Sequence, residues 1–328
     1  MPNIHDKKYL VTGGTGFIGS ALVKRLVEEG HSVRVLDNNS RGCLQYLGDT
    51  AQKVEMIEAD ITNPKVMEEA CDGVQRIYHL AFINGTAFFY SKPEQVLEVG
   101  VKGMLNVLDA CIKKKIRELL VMSSSEVYQT PPHIPTDEMV SLSIPDPFNP
   151  RYSYGGAKII SELLTIHYGR KHFDHVTIIR PHNVYGPQMG WEHVIPQFVV
   201  RMKNLCKNNS KKQIEFPIQG SGHETRAFIY IDDFIEGTMH AMERGKHLEI
   251  YHIGTMDEVP ISRIAQEVGA YFKKEVKIIP GDLAQGGTLR RCPDITKLKK
   301  LGFHPKVSLS EGIYKTAQWY DQNERNES

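Results

Sequence analysis

The sequence predicts an α/β protein built on a doubly wound parallel sheet, with a smaller lobe in its C-terminal half. The first observation is that short apolar runs alternate with helix-length segments through the first half of the 328 residues. The second is a glycine-rich turn between the first apolar run and the first helical segment. The third is that this alternation becomes irregular after about Pro187. Strands and helices alternating at this length form right-handed βαβ units, with helices on both faces of a parallel sheet.

Each predicted element has a local reason. Strands are short runs rich in β-branched and aliphatic residues, whereas helices carry apolar residues at helical spacing. The strands predicted in the first half are KYLVTGG, SVRVLD, KVEMIEAD, RIYHLAF, RELLVMSSS and HVTIIRPHNVYG. The helices predicted among them are FIGSALVKRLVEEG, PKVMEEACDG, PEQVLEVGVKGMLNVLDACIKKK and YSYGGAKIISELLTIHYGRK. The second half is expected to contain the short strands IEFPIQ and RAFIYID.

Composition excludes several classes of protein. Lys and Arg number 40 against 39 Asp and Glu, so no broad electrostatic attraction to nucleic acid is expected. No run approaches the ~18 apolar residues of a membrane-spanning helix. The cysteines are odd in number, scattered and without a CxxC pair, which argues against a disulfide framework and a zinc site. A cytoplasmic protein without a metal is therefore expected; the cysteines are Cys43, Cys71, Cys111, Cys206 and Cys292.

The glycine-rich turn reads VTGGTGFIGS over residues 11–20 and matches both G-x-G-x-x-G and G-x-x-G-x-x-G. It follows an apolar strand and opens a helix. In that context the missing side chains let the backbone approach a pyrophosphate at the positive end of the helix. We therefore predict a dinucleotide-binding (Rossmann) fold whose cofactor contacts here are Gly13, Gly16, Phe17, Ile18 and Gly19.

The next strand ends at Asp37, at about the distance expected for an acid that accepts from the ribose 2′-hydroxyl. A carboxylate there repels a 2′-phosphate, so NAD is favoured over NADP. Arg34 and Arg41 lie nearby in sequence and could weaken that preference.

The other cofactor residues are expected at the carboxyl ends of neighbouring strands, which line the ligand crevice of a doubly wound sheet. Asp60 is placed near the adenine and Ala81 near the pyrophosphate or ribose. The full set of these predicted contacts is Asn38, Arg41, Asp60, Ile61, Leu80 and Ala81. The resulting division assigns residues 1–186, with a returning segment near 226–255, to NAD and most of residues 187–328 to a substrate lobe.

Tyr154 precedes Lys158 by four residues, so both side chains share one helix face. Ser124 ends a strand that leads to the same crevice. Lys158 is expected to lower the pKa of the phenol by its charge and to hold the nicotinamide ribose, and the charge of an oxidised nicotinamide would add to that effect. Ser124 would hydrogen-bond a reacting hydroxyl while Tyr154 takes its proton.

Six segments carry a resemblance to a known family: TGGTGFIG, DNNSRG, SSSEVY, YSYGGAK, RPHNVYGP and GSGHETRAFIYIDD. In this order they resemble the extended short-chain dehydrogenase/reductases that act on nucleotide sugars, roughly from Lys8 to Ala317. The resemblance implies an NAD-dependent epimerase or dehydratase in which Tyr154 is the base, Lys158 its partner and Ser124 the residue that orients the hydroxyl.

The resemblance also implies a substrate site. Asn183 would contact the nucleotide diphosphate, and Arg226 and Arg291 would clamp its phosphates, a role suited to the planar guanidinium fork. Ser125 and His182 are expected on the substrate side, although a packing role for His182 is equally open.

Three positions depart from the family pattern. Gly100 stands where an asparagine is usual, Met104 where a threonine is usual, and Gln129 where a glycine commonly follows the VY pair. None of these changes removes a catalytic group. The first is expected to change water or cofactor contacts below the nicotinamide.

Members of this family oxidise the sugar at C4 and then diverge. Simple 4-epimerases rotate the ketone and return the hydride to its other face, which needs no further base. Glu126, after the serines, resembles instead the dehydratases and uronic-acid decarboxylases. A C4 ketone acidifies the C5 hydrogen, which a carboxylate can remove. We therefore expect Glu126-assisted 4,6-dehydration or decarboxylation of a nucleotide sugar, with simple 4-epimerisation as the alternative.

Other interpretations stay open at this point. Glu126 could be a cap of its turn, and the chain could be a non-catalytic NAD-binding regulator or an NADP reductase. The complete set of Ser124, Tyr154 and Lys158 opposes the regulator, and Asp37 opposes the reductase. Because the helices that begin near Pro93 and Tyr152 carry apolar residues on more than one face, a homodimer is expected.

Overall fold

The computed structural model describes residues 7–207, 209–282 and 289–323. The first half alternates as predicted between parallel strands and covering helices. Its strands are β1 Lys8–Thr12, β2 Ser32–Asp37, β3 Glu55–Glu58, β4 Arg76–His79, β5 Glu118–Met122 and β6 His175–Pro181. Its α-helices are α1 Phe17–Glu28, α2 Pro64–Ala70, α3 Thr86–Ser91, α4 Pro93–Leu97, α5 Met104–Lys114 and α6 Ser153–His172. Three 3₁₀ segments cover Leu44–Lys53, Ser125–Tyr128 and Pro150–Tyr152.

The second half contains shorter strands that return between helices. Its strands are β7 Val184–Tyr185, β8 Gln213–Pro217, β9 Thr225–Ala227, β10 Ile229–Tyr230, β11 Glu249–Ile253, β12 Glu258–Pro260, β13 Glu275–Ile279 and β14 Arg290–Arg291. Its helices are α7 Val194–Lys207, α8 Ile231–Arg244, α9 Ile261–Tyr271, α10 Thr296–Lys299 and α11 Leu309–Gln322. None of the helices in the described part of the chain combines the length and the hydropathy that a membrane span requires.

Seven strands of the described chain form one sheet in the order β11-β6-β5-β4-β1-β2-β3. Every pair of neighbours is parallel. The order reverses beside β1, which creates the crevice where ligands bind in open α/β sheets. Successive residues of β1 face opposite sides of the sheet. Leu10 packs in one apolar cluster and Val11 in the other, and both are fully buried. The predicted doubly wound α/β fold is confirmed.

The helix predicted from Pro93 onward is present as one helical stretch, but it is not α-helical throughout. A π-helical segment, Glu98–Gly103, separates α4 from α5. A β-carbon on Gly100 would lie 2.6 Å from Cζ of Phe82, and one on Gly103 would lie 2.5 Å from Cδ1 of Ile61. The two glycines therefore let neighbouring side chains approach the backbone where the helix widens. Single π turns of this kind are frequent at functional sites.

The predicted strand RAFIYID is also wrong as a single element. Thr225–Ala227 pairs with β12 and β14, whereas Ile229–Tyr230 pairs with β7, so the chain changes partners at Phe228. Its last two residues begin α8, where Asp232 and Asp233 stand in the first turn. Acidic side chains are favourable at a helix N-terminus, because they complement its dipole. The single strand predicted from HVTIIRPHNVYG is likewise two strands, β6 and β7.

Candidate active site

The glycine turn packs too closely against neighbouring backbone for side chains at two of its positions. Gly13 has φ +73°, and a β-carbon there would lie 2.8 Å from the Ala81 Cα. A β-carbon on Gly19 would lie 2.0 Å from the Gly13 carbonyl oxygen. One on Gly16, immediately before α1, would meet only the Gly13 oxygen, at 3.4 Å. The helix N-terminus is thus left uncovered at Gly16, which fits a pyrophosphate.

Asp37 is fixed by the loops that surround the glycine turn. Its Oδ2 accepts from the Thr15 backbone N–H at 3.0 Å, and its Oδ1 accepts from the Asn39 N–H at 2.9 Å. A carboxylate has about four acceptor positions, so it can still accept from a ribose hydroxyl while these bonds hold it.

Asn38 and Asp60 join the carboxyl ends of β2 and β3. The Asn38 amide donates to the Asp60 carboxylate at 2.8 Å. Burial would raise the pKa of Asp60, but hydrogen bonds from the Thr62 backbone and hydroxyl and from Asn38 outweigh it and lower the pKa. Asp60 is therefore held as an acceptor at the crevice edge.

The two arginines near Asp37 have different surroundings. Arg34 donates to the Asp72 carbonyl at 2.8 Å and pairs with Glu55 at 2.9 Å, at the far end of α2. The expectation that Arg34 weakens the cofactor preference is therefore wrong, because its side chain is engaged beside α2. Arg41 pairs with Glu192 and lies over the Phe88 ring at 4.8 Å.

The remaining predicted cofactor residues lie along the same edge. The Ala81 N–H donates to the Thr12 hydroxyl at 3.3 Å, and Leu80 is buried beside it. Ile61 is buried after β3. Phe17 and Ile18 form the start of α1, directly behind Gly16.

Two separate chain segments bring the catalytic candidates together. Ser124 caps the 3₁₀ turn after β5, accepting from the Glu126 N–H at 3.1 Å, and hydrogen-bonds Tyr154. Lys158, one turn further along α6, donates to the Met122 carbonyl at 2.6 Å. Tyr154 and Lys158 are both buried, and the Phe89 ring stacks on Tyr154 with centroids 4.8 Å apart.

Burial dominates the protonation of this pair. It raises the pKa of Tyr154, against the lowering effect of the Ser124 hydrogen bond, and the Glu126 charge raises it further. The lowering of the phenol pKa by Lys158 and an oxidised nicotinamide stays a prediction for the cofactor-bound protein, where it would have to offset this burial. Burial also lowers the pKa of Lys158 to about 7, although Glu162 acts in the opposite direction.

Glu126 lies among arginines. Its Oε1 accepts from the Arg291 guanidinium at 2.5 Å. Burial would raise the pKa of Glu126, but the charge and hydrogen bond of Arg291, helped by Arg151 and Arg226, outweigh it and lower the pKa. Burial and repulsion from Arg291 lower the pKa of Arg226 to about 10. Arg151 was missed in the sequence; its only signal was its place three residues before Tyr154.

Backbone pairing explains how Arg291 reaches Glu126 across a long sequence separation. Residues Arg290–Arg291 pair with β9, which sets Arg291 beside Arg226 in register. On the other side, the Thr136 N–H donates to the Cys292 carbonyl at 2.9 Å, and the Asp294 N–H donates to Thr136 O at 2.7 Å. The segment is thus fixed between β9 and the loop that follows the Glu126 turn.

The other predicted substrate residues follow β5 and β6. Asn183 has φ +42°, which asparagine tolerates better than most residues, and its amide donates to the Ala227 carbonyl at 2.9 Å. His182 is 1% exposed, and neither ring nitrogen has a hydrogen-bond partner among the described residues. Its ring packs 4.6 Å from that of His252, and burial holds its pKa well below the usual value. Ser125 is buried in the turn after Ser124.

These features define a dinucleotide-dependent short-chain dehydrogenase/reductase. They are the doubly wound sheet, the uncovered N-terminus of α1, the carboxylate of Asp37 at the end of β2, and the group formed by Ser124, Tyr154 and Lys158. The sequence model of the NAD dependent epimerase/dehydratase family matches residues 9–254, and the chain belongs to this family. The predicted family, with its NAD dependence, is thereby confirmed.

Relatives agree over nearly the whole chain. A UDP-N-acetyl-alpha-D-glucosaminuronate decarboxylase of Bacillus cytotoxicus is 32% identical, covering 97% of this chain and 99% of the relative. UDP-glucuronic acid decarboxylase 6 of Arabidopsis thaliana is 33% identical, covering 94% and 87%. Among solved structures, Thermotoga maritima UDP-glucose 4-epimerase is 28% identical with a TM-score of 0.85, covering 96% and 99%. The dTDP-glucose 4,6-dehydratase DesIV of Streptomyces venezuelae is 27% identical with a TM-score of 0.83, covering 96% and 97%.

Proposed function

We propose that this protein is an NAD-dependent lyase that releases carbon dioxide from a nucleotide-activated uronic acid through transient oxidation at C4. When bound, NAD supplies a hydride acceptor for the C4 carbon. Tyr154 takes the proton of the C4 hydroxyl, Ser124 orients that hydroxyl, and Lys158 supports the phenol. The C6 carboxylate is then β to a ketone, so the electrons of the C5–C6 bond can pass into the carbonyl. Carbon dioxide leaves, Glu126 assists the addition of a proton at C5, and the hydride and the Tyr154 proton then return to C4 and its oxygen, so that the reaction has no net oxidation.

The observation that carries this proposal is the ion pair of Arg291 with Glu126 beside the Ser124–Tyr154 pair. Arg226 lies in register beside Arg291, and the charges of Arg151 and Arg226 help to lower the pKa of Glu126. Guanidinium groups match carboxylate and phosphate oxygens in pairs. A nucleotide uronic acid carries both kinds of anion, one at each end of its sugar. The two relatives named above are decarboxylases of such sugars, which supports the same choice.

Product masses test the proposal. The protein is incubated with NAD and UDP-glucuronate, UDP-N-acetylglucosaminuronate, UDP-glucose or dTDP-glucose, with one uronate labelled with carbon-13 at C6. Release of labelled carbon dioxide from a uronate is the expected result. Loss of water would indicate a 4,6-dehydratase, and an unchanged mass with an altered C4 configuration would indicate a 4-epimerase. No turnover of any sugar, with NAD bound, would favour a non-catalytic regulator.

We propose that the NAD unit comprises residues 1–186 with the returning segment near 226–255, and that most of residues 187–328 bind the nucleotide sugar. The pairing of β11 with β6 and the contact of Arg291 with Glu126 support this division. A cytoplasmic location is part of the proposal, and the five cysteines, all without disulfides, fit a reducing compartment.

Cofactor choice is expected to depend on Asp37. NAD should bind more tightly than NADP, because the carboxylate accepts from a ribose hydroxyl and repels a phosphate. Asp37→Asn should narrow this difference by removing the negative charge while keeping a side chain of the same shape. Fluorescence titration of both proteins with each dinucleotide measures the ratio. Equal or tighter binding of NADP by the unaltered protein would contradict the assignment.

A homodimer joined by the helices around α4 and α6 is also expected. Leu97, Ile160 and Leu163 lie on these helices and are 40%, 38% and 50% exposed, so they offer apolar surface to a second copy. Sedimentation at micromolar concentration should show a dimer, and Leu163→Glu should shift it to monomer. Lys171→Glu, exposed on the same helix, is the control that should remain dimeric. A purely monomeric parent protein would refute the expectation.

A further inference from the structure

Phe82 lies against both members of the Tyr154–Lys158 pair. Its ring meets the Tyr154 ring edge-on, with centroids 5.1 Å apart and an interplanar angle of 83°. The Lys158 Nζ lies 3.7 Å from the centroid of the same ring. An ammonium at this distance from an aromatic face is attracted by the ring quadrupole. The Lys158 side chain is therefore held between this ring and the Met122 carbonyl, which accepts from its Nζ at 2.6 Å.

Position 100 determines whether the ring can occupy this place. A β-carbon on Gly100 would lie 2.6 Å from Cζ and 2.8 Å from Cε2 of Phe82, and 2.8 Å from the Ala157 β-carbon. The Gly100 carbonyl accepts from the Ser161 hydroxyl at 2.9 Å, which fixes the π-helical segment against α6. The widened helix, the glycine and the ring thus form one arrangement below the catalytic pair.

Among the described residues, few titratable groups lie near Lys158. On its own helix these are Tyr154, whose ring centroid is 5.8 Å from Nζ, and Glu162, which is itself paired with Arg180 of β6. From β4 comes His79, whose pKa burial and Lys158 lower to about 3, so the imidazole is neutral. With little other compensation from these side chains, the ring face is a substantial stabilising contact for the buried ammonium.

We propose that Phe82 is a positioning residue for the Lys158 ammonium, and that the glycine at position 100 makes room for its ring. The ring stabilises the charged form of Lys158 and also packs against Tyr154, so it sets the place and the charge of the group that supports the base. Its catalytic consequence rests on the proposed function. The contact itself is a property of the protein alone and can be measured without substrate.

The test is an NMR titration of protein labelled with carbon-13 at lysine Cε, with the Lys158 resonance identified by its loss in Lys158→Met. Phe82→Leu keeps an apolar side chain but removes the π face. It should lower the pKa of Lys158 by about one pH unit, since cation–π contacts at desolvated sites are worth on the order of 1–2 kcal/mol. Phe82→Tyr retains the face and should titrate like the parent protein.

Phe89→Leu is the matched control, because Phe89 stacks on Tyr154 from another side; it should leave the Lys158 titration unchanged. Gly100→Ala is a second variant that keeps Phe82 in the chain. Its β-carbon would lie 2.6 Å from the ring and 2.8 Å from the Ala157 β-carbon, so the contact between the ring and α6 must change. This variant should shift the pKa in the same direction as Phe82→Leu. An unchanged or raised pKa of Lys158 in Phe82→Leu would overturn the proposal. If Phe82→Leu does not fold, the same result in Gly100→Ala would overturn it.

Discussion

Tyr154→Phe is expected to reduce turnover of the nucleotide sugar by roughly 10²–10⁴-fold, the usual contribution of a positioned acid–base group. The substitution removes only the hydroxyl that hydrogen-bonds Ser124. The ring contacts with Phe82 and Phe89 do not depend on that oxygen, so the enclosure of the side chain should persist. The fold and NAD binding are therefore expected to be retained.

Steady-state assays, with NAD binding measured on the same preparations, check this result. Tyr152→Phe is the matched control, because it removes a phenolic hydroxyl two residues away, in the 3₁₀ segment before α6. Near-normal turnover by Tyr154→Phe would place the base elsewhere in the crevice. An equal loss in both variants would mean that the phenol at position 154 has no special role.

The features that the sequence predicted well are local. Strand β2 ends at Asp37, as its apolar run indicates, and the glycine turn lies between β1 and α1. Tyr154 and Lys158 share a helix face because their spacing requires it. The crevice followed from these elements, because parallel strands bring their carboxyl ends to one edge of a sheet.

The features that it did not predict depend on contacts between distant segments. Arg34 lies only three residues before Asp37, yet its guanidinium is drawn to carbonyls at the end of α2. Gly100 was noticed as a departure from the family pattern, but Phe82, the side chain that fills its space, gave no signal of its own. The partner of Glu126 is likewise set by backbone pairing of a segment far along the chain. Such pairs are fixed by tertiary packing rather than by spacing along the chain.

Glu126→Gln is the second substitution with a large expected effect. Oxidation at C4 should still occur, because Ser124, Tyr154 and Lys158 are unchanged. The later step at C5 should fail, since the ion pair that holds Arg291 at 2.5 Å loses its charge. We expect product formation to fall by about 10²–10⁴-fold, the range for a positioned ionisable group, and a 4-keto uronic acid to accumulate. Mass spectrometry of quenched reactions detects that intermediate.

Solvent deuterium separates this interpretation from simple epimerisation. In the unaltered protein deuterium should enter C5 of the released product, because C5 is protonated from solvent after carbon dioxide leaves. The Glu126→Gln protein should release almost no labelled product, whereas Glu98→Gln, which alters an exposed pair with Lys102, should behave like the parent protein. A plain 4-epimerase would interconvert its sugars in every variant without deuterium at C5. That outcome would show that Glu126 has no part in chemistry at C5, because rotation of a 4-keto sugar involves no proton transfer at that carbon. The sheet, the NAD site and the Ser124–Tyr154–Lys158 group would still account for oxidation at C4.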